Sequence, residues 1–197
     1  MLRPMDLYGR LEELQGTTRL LIDDMNRLHV GMGRFEPNPT PDQETTRRSY
    51  VRAVFALVEA FVEQHRRLLL DLADANFITL DPAMLLELRE IKEILHGDGR
   101  VQQRTRYLRT FDKIKAVYAA AGTGFGEPLN ITFGDQGFET FRAAMGIRDR
   151  LTHPKTAPDC WLSVVHLEQV EVAHDWFRTL QNEFVRVARA HREQHSW

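Results

Sequence analysis

Cysteine is almost absent. Of 197 residues only Cys160 carries a thiol, so no internal disulfide can close and no cysteine-based zinc site can be assembled. No run of about 18 apolar residues exists either, so no membrane-spanning helix is expected. The opening MLRPMDLYGRLEELQG places acidic residues where a signal peptide needs an unbroken apolar stretch, which argues against export by that route. The chain therefore reads as cytoplasmic. An excess of one charge is missing too: 26 basic residues face 28 acidic ones, a net charge of −2, and no global basic field announces a nucleic-acid binder. Lysine is scarce, with only Lys92, Lys113, Lys115 and Lys155, which leaves 22 arginines. Arginine suits bidentate phosphate recognition better than lysine, but a compositional drift toward arginine codons gives the same imbalance, and alone it decides nothing.

With 43% apolar and 27% charged residues the composition is that of a globular chain, and the length is that of one domain, residues 1–197. No segment shows a convincing strand pattern. The chain reads as helices separated by glycine and proline: a first helix over about 7–28, a proline loop over 36–41, and a core over about 41–189. The longest helix starts at Thr40 or Asp42 and runs to about Ala75, with Val51, Phe55, Val58, Val62, Leu69 and Leu72 on one stripe and His65 filling its gap. Asp81-Pro82 opens a helix to about Leu95, His96-Gly97-Asp98-Gly99 closes it, and another helix covers about Val101–Ala121. The stretch Gly122–Gly137, with five glycines and a proline, reads as a loop. Asp135 caps a helix that His153-Pro154 stops, and Ser163 starts the last long helix. The expected fold is all-α, an up-and-down helical bundle of five or six helices.

The helix from Asp135 to Thr152 holds the candidate chemistry. At 100° per residue, Phe138, Phe141, Ala144, Met145, Ile147 and Leu151 fill one arc, and Arg148 falls near its middle. A guanidinium cannot deprotonate to escape burial, so it needs a carboxylate, a partner surface or a ligand anion. Glu59 on the long helix is the candidate carboxylate in a purely structural reading. Five residues on stands His153, where Pro154 ends the helix. An imidazole there can move protons, while an arginine can stabilise the charge of a phosphorane-like transition state. Spacing alone is weak, because roughly one Arg-x4-His pair is expected by chance at these compositions; Arg186 and His191 form a second. The first pair differs in having Asp149 directly after the arginine, an apolar helix face, and the helix stop.

Arg148-Asp149-Arg150-Leu151-Thr152-His153, late in an all-α bundle, resembles the motif of HEPN domains: Arg, then a polar residue, three variable residues and His. The likeness of architecture extends over about residues 41–189. It implies a metal-independent endoribonuclease of the toxin–antitoxin or antiviral-defence kind, a homodimer in which two motifs face each other, and no cofactor. Carried over, Arg148 grips the scissile phosphate, His153 transfers a proton, and Asp149 orients the pair. Attack by a 2′-hydroxyl makes RNA the substrate. Arg150, Lys155, Arg52 and Arg104 are the candidate substrate-binding residues, and an antitoxin or other partner protein is expected. The competing reading is a non-catalytic helical module, binding a protein partner or a nucleotide, in which Arg148 is a structural ion-pair residue.

Other signals are weaker. Arg100, Arg104, Arg106 and Arg109 around Tyr107 could track an RNA backbone. However, Tyr107 and Phe111 stand at core spacing with Ile114 and Tyr118, which favours a solvated basic face. Arg47, Arg48 and Arg52 read more plainly as surface charge, and His65 as a core histidine satisfied by a hydrogen bond. His191 and His195 at i, i+4 can hold a metal but lack a visible third ligand. Gly122-Thr-Gly-Phe-Gly126 follows a helix rather than a strand and fails as a dinucleotide loop. Cys160 has no local base.

Overall fold

The computed structural model describes residues 4–33, 36 and 38–195, with side chains described from residue 16 onward. It is an all-α helical bundle, 71% helical, with six helices and one two-stranded sheet among the described residues. In chain order these are α1 (Pro4–Gly31), α2 (Pro41–Asp74), α3 (Pro82–Leu88), β1 (Ile91–Leu95), β2 (Val101–Thr105), α4 (Thr110–Gly124), α5 (Gln136–Thr152) and α6 (Val164–His195). A short 3-10 turn covers Ala157–Cys160. No described helix is long and apolar enough to cross a membrane.

The helix starts follow capping chemistry. Thr40 and Gln43 bond reciprocally ahead of α2, the Thr40 hydroxyl accepting from the Gln43 N–H and the Gln43 amide oxygen from the Thr40 N–H. Asp81 accepts from Met84 N at 2.8 Å and Asp135 from Phe138 N at 2.7 Å. Pro41 and Pro82 occupy first-turn positions, where the missing N–H costs nothing.

The chain divides into two compact units. One comprises Leu11–Phe61 and Ile131–Gln181; the other is built on Val62–Asn130 and the chain from Asn182. In the first, the rings of Phe55, Phe141, Phe177 and Trp176 pack together, Phe141 lying 5.9 Å from Phe55 and 5.1 Å from Trp176. Gly137 faces the Trp176 indole so closely that a Cβ would overlap it, so glycine is required there for packing rather than for flexibility. In the second, His65 stacks on Phe184 at 3.7 Å between ring centroids, and its Nδ1 lies 3.1 Å from the Tyr118 hydroxyl. It is the hydrogen-bonded core histidine expected at that gap, and burial pushes its pKa down to about 3.

The sequence reading fails between residues 89 and 109. The helix expected to reach Leu95 stops at Leu88, and the one expected from Val101 begins at Thr110. Between them lies an antiparallel hairpin pairing Ile91 with Thr105 through Leu95 with Val101. The break is local. Glu90 adopts the left-handed conformation, φ 54°, which a helix cannot continue. Its carbonyl then accepts from Arg106 N, and its carboxylate holds Leu108 N at 3.2 Å and Lys113 Nζ at 3.1 Å. Gly99, φ 83°, closes the turn. Because α4 starts late, Tyr107 is outside it and 87% exposed, not in the core with Ile114 and Tyr118. The expected loop from Gly122 is likewise shorter, since α4 runs on to Gly124.

Arg47 also departs from expectation. The sequence suggests surface charge, yet the side chain is 1% exposed and among the largest fully buried ones. Its guanidinium donates to the carbonyls of Met32 (3.0 Å), Gly33 and Glu36 (2.9 Å), closing the chain that follows α1 onto α2. Arg47→Met keeps the bulk and leaves those acceptors unpaired, and it is expected to lower unfolding free energy by about 3 kcal/mol. A denaturant melt with an unchanged midpoint would contradict this account.

Candidate functional site

Helix α5 and the turn after it position the candidate residues, all in the unit that holds Leu11–Phe61 and Ile131–Gln181. Phe138, Phe141, Ala144, Met145, Ile147 and Leu151 are buried, so the helix presents the arc read from its periodicity. Arg148 falls within that arc but is not fully buried, its side chain being 24% exposed. Its Nη2 pairs with the Glu59 carboxylate on α2, and its Nη1 with Asp149 at 3.0 Å. Two carboxylates therefore share one guanidinium. Asp149 is 58% exposed, and that arm of the pair is held weakly in water.

His153 is the exposed C-cap of α5, with φ −128° and ψ 59°. Its N–H donates to the Asp149 carbonyl at 2.9 Å. Asp149 thus touches both partners of the motif, through its side chain to Arg148 and through its backbone to His153. The end of the helix is tied down from both sides. Arg52 donates to the Leu151 carbonyl at 2.7 Å, and the Thr152 hydroxyl to the Arg148 carbonyl at 2.9 Å. The Arg52 bond satisfies a carbonyl that a helix C-terminus leaves open, while the Thr152 hydroxyl bonds back onto its own helix.

The turn beyond Pro154 is organised by Asp159, which accepts from Lys155 N (2.9 Å), Thr156 N (2.8 Å) and the Thr156 hydroxyl (3.1 Å). The Thr156 and Lys155 N–H groups hold its carboxyl below the usual range, and the Arg150 charge adds to this. Burial lowers the pKa of His166, and the Arg150 charge adds to this. Arg150, His153 and Lys155 are all exposed at this end of α5, with Trp161 64% exposed beside them in sequence.

The sequence-derived residues thus separate into groups. Arg148, Asp149 and Glu59 are brought together by side-chain bonds, whereas His153 is tied to Asp149 only by the backbone bond of the helix end. Arg150 and Lys155 stand on the same helix end and its turn. Arg52 is there too, but its guanidinium is a helix cap. Arg104 is on β2, in the other unit. Lys92, opposite Arg104 on that hairpin, does not join the Arg104 and Arg106 group when the segment is read at helical period. Arg104 and Arg106 two residues apart, with Lys92 at the paired position across the turn, is the signal that a strand reading would have used.

Among the described residues no three His, Cys, Asp or Glu side chains cluster as a metal site. His191 Nε2 lies 3.0 Å from the Phe77 carbonyl, and His195 Nδ1 lies 2.9 Å from the His191 carbonyl, so one nitrogen of each ring is engaged. No family model, curated protein or solved structure matches this chain.

Proposed function

We propose that this protein is a metal-independent endoribonuclease of the HEPN kind, with Arg148 and His153 as its active pair. The observation that carries the reading is an Arg148 guanidinium held by the exposed Asp149 carboxylate one turn before an exposed His153 at the helix C-cap. In this mechanism the exposed Asp149 arm of Arg148 yields to a phosphate oxygen, and the guanidinium stabilises the charge of the pentacoordinate transition state. A ribose 2′-oxygen attacks the adjacent phosphorus as its proton is removed, the P–O5′ bond breaks, and the departing oxygen takes up a proton. His153 serves this proton transfer, and the products are a 2′,3′-cyclic phosphate and a 5′-hydroxyl end. Two copies face each other through the motif in a homodimer, and an antitoxin or other partner protein restrains the activity.

Incubating the protein with total RNA in chelator, and identifying the new ends, tests the assignment. Cleavage leaving cyclic phosphates supports it; intact RNA across a range of transcripts sinks it. Arg148→Ala is expected to reduce cleavage by about 10²- to 10³-fold while costing about 1 kcal/mol or less of stability, since the pair is partly solvated.

One observation favours a second reading. Glu59 and Asp149 already occupy Arg148, as a structural ion pair in a non-catalytic binding module requires. Under that reading Arg148→Ala and Glu59→Gln both register in the melt, their effects couple, and no RNA-cleaving activity exists to be lost.

A further inference from the structure

The β1–β2 hairpin is two-sided, and its sides differ in chemistry. Register places Lys92 directly opposite Arg104 and Ile94 opposite Gln102 on one face. Ile91 with Thr105, Glu93 with Gln103 and Leu95 with Val101 form the other. Side-chain bonds confirm the sorting. His96 Nε2 meets Gln102 at 3.2 Å and Arg104 reaches the same amide oxygen at 3.3 Å, while Gln103 donates to Glu93 on the opposite side at 3.0 Å. Just past the paired positions comes Arg106, and after it the 87% exposed Tyr107.

This arrangement does not serve the hairpin itself. Like charges directly opposed across a ladder weaken it, and an isolated two-stranded ribbon has little stability to spare. Arg100 is paired with Asp98 at the tip, 2.7 Å away, but no described carboxylate pairs with Lys92, Arg104 or Arg106. All three are exposed. A row of uncompensated cations set side by side on a ladder, with a bare aromatic ring at its end, is complementary to a polyanion that also offers flat faces for stacking.

We propose that the Lys92–Arg104–Arg106 face of the hairpin binds the phosphodiester backbone of single-stranded RNA, with Tyr107 stacking on a base. A single strand is favoured because the deep, narrow major groove of an A-form duplex does not admit side chains from a ribbon, and stacking needs an unpaired base. The choice of RNA rests on the ribonuclease reading; the charge complementarity does not.

The test uses full-length protein carrying His153→Ala, so that the probe is not consumed, and a labelled single-stranded RNA of mixed sequence followed by anisotropy over a salt series. Lys92→Gln, Arg104→Gln and Arg106→Gln together are expected to weaken binding and to lower the slope of log K against log salt by about 2, at about 0.7 per phosphate contact. Arg106→Gln alone lies beyond the paired positions and leaves the ladder undisturbed; it is expected to lower the slope by about 0.7. Tyr107→Ala is expected to weaken binding about tenfold with the slope unchanged. An unchanged slope in Arg106→Gln and in the triple variant overturns the proposal, as does an absence of RNA binding with the hairpin intact. The two readings fail separately. Cleavage by the wild type without hairpin-dependent binding overturns only the hairpin, whereas hairpin-dependent binding without wild-type cleavage overturns only the ribonuclease.

Discussion

His153→Ala is expected to reduce RNA cleavage by at least about 10²-fold, the usual range for losing a general acid–base group, with little change in the thermal melt. The asymmetry follows from position. The side chain is exposed at the helix end, and its structural bond is made by the backbone N–H, which alanine keeps. Surface substitutions of this sort stay within about 0.5 kcal/mol. Parallel digests of total RNA in chelator, with melting curves on the same preparations, read both quantities. Undiminished cleavage in a folded His153→Ala protein would remove the histidine from the mechanism, and with it the proposed chemistry.

The second large effect is on stability against pH. His65 is held neutral by burial down to about pH 3, while in the unfolded chain it titrates near 6.5. Below 6.5 the unfolded state therefore binds one more proton than the folded state. The stabilisation is complete above pH 6.5 and falls on acidification by about 1.4 kcal/mol per pH unit. Glu63 adds to this in the same direction at lower pH: its bonds to Arg66 bring its pKa to about 2, so its share is lost as pH falls below its ordinary value. His166 and His174, also lowered chiefly by burial, contribute with the same sign. Denaturant melts between pH 7.5 and 5 would show the slope. His65→Gln, which does not titrate and retains a polar partner for Tyr118, is expected to flatten it by about 1.4 kcal/mol per unit. Equal slopes for wild type and variant would show that a charged His65 is accommodated in the fold.

The legible parts of the chain are those whose signal is local or periodic. The α2 stripe from Val51 to Leu72, the Asp135 cap and the His153-Pro154 stop each carry their cause within a few residues. The hairpin does not. Ile91-Lys-Glu-Ile-Leu suits a helix as well as a strand, β2 has only Val101 and Thr105 as β-branched residues, and what decides is the backbone of Glu90, an acidic residue in a conformation associated with glycine. The spacing of Tyr107 to Phe111 misleads in consequence, because it has meaning only if both are helical. At the candidate site, the periodicity of α5 placed Arg148 on the apolar arc, but not its partial exposure or its second carboxylate. Arg52 and Arg47 were unreadable for a related reason. Their partners are backbone carbonyls distant in sequence, and a carbonyl has no letter.

Those carbonyl partners bear on the scarcity of lysine. Arg47 spans three backbone oxygens, Arg52 closes the end of α5, and Arg66 reaches the Leu88 carbonyl at the end of α3, 2.6 Å away. A planar fork with five donors can staple one segment to several points of another, whereas an ammonium is a single compact point. At these corners an exchange of arginine for lysine preserves the charge and loses the joint. Part of the arginine excess is therefore carpentry, and a homologue that trades these positions for lysine would have to rebuild its helix ends by other means.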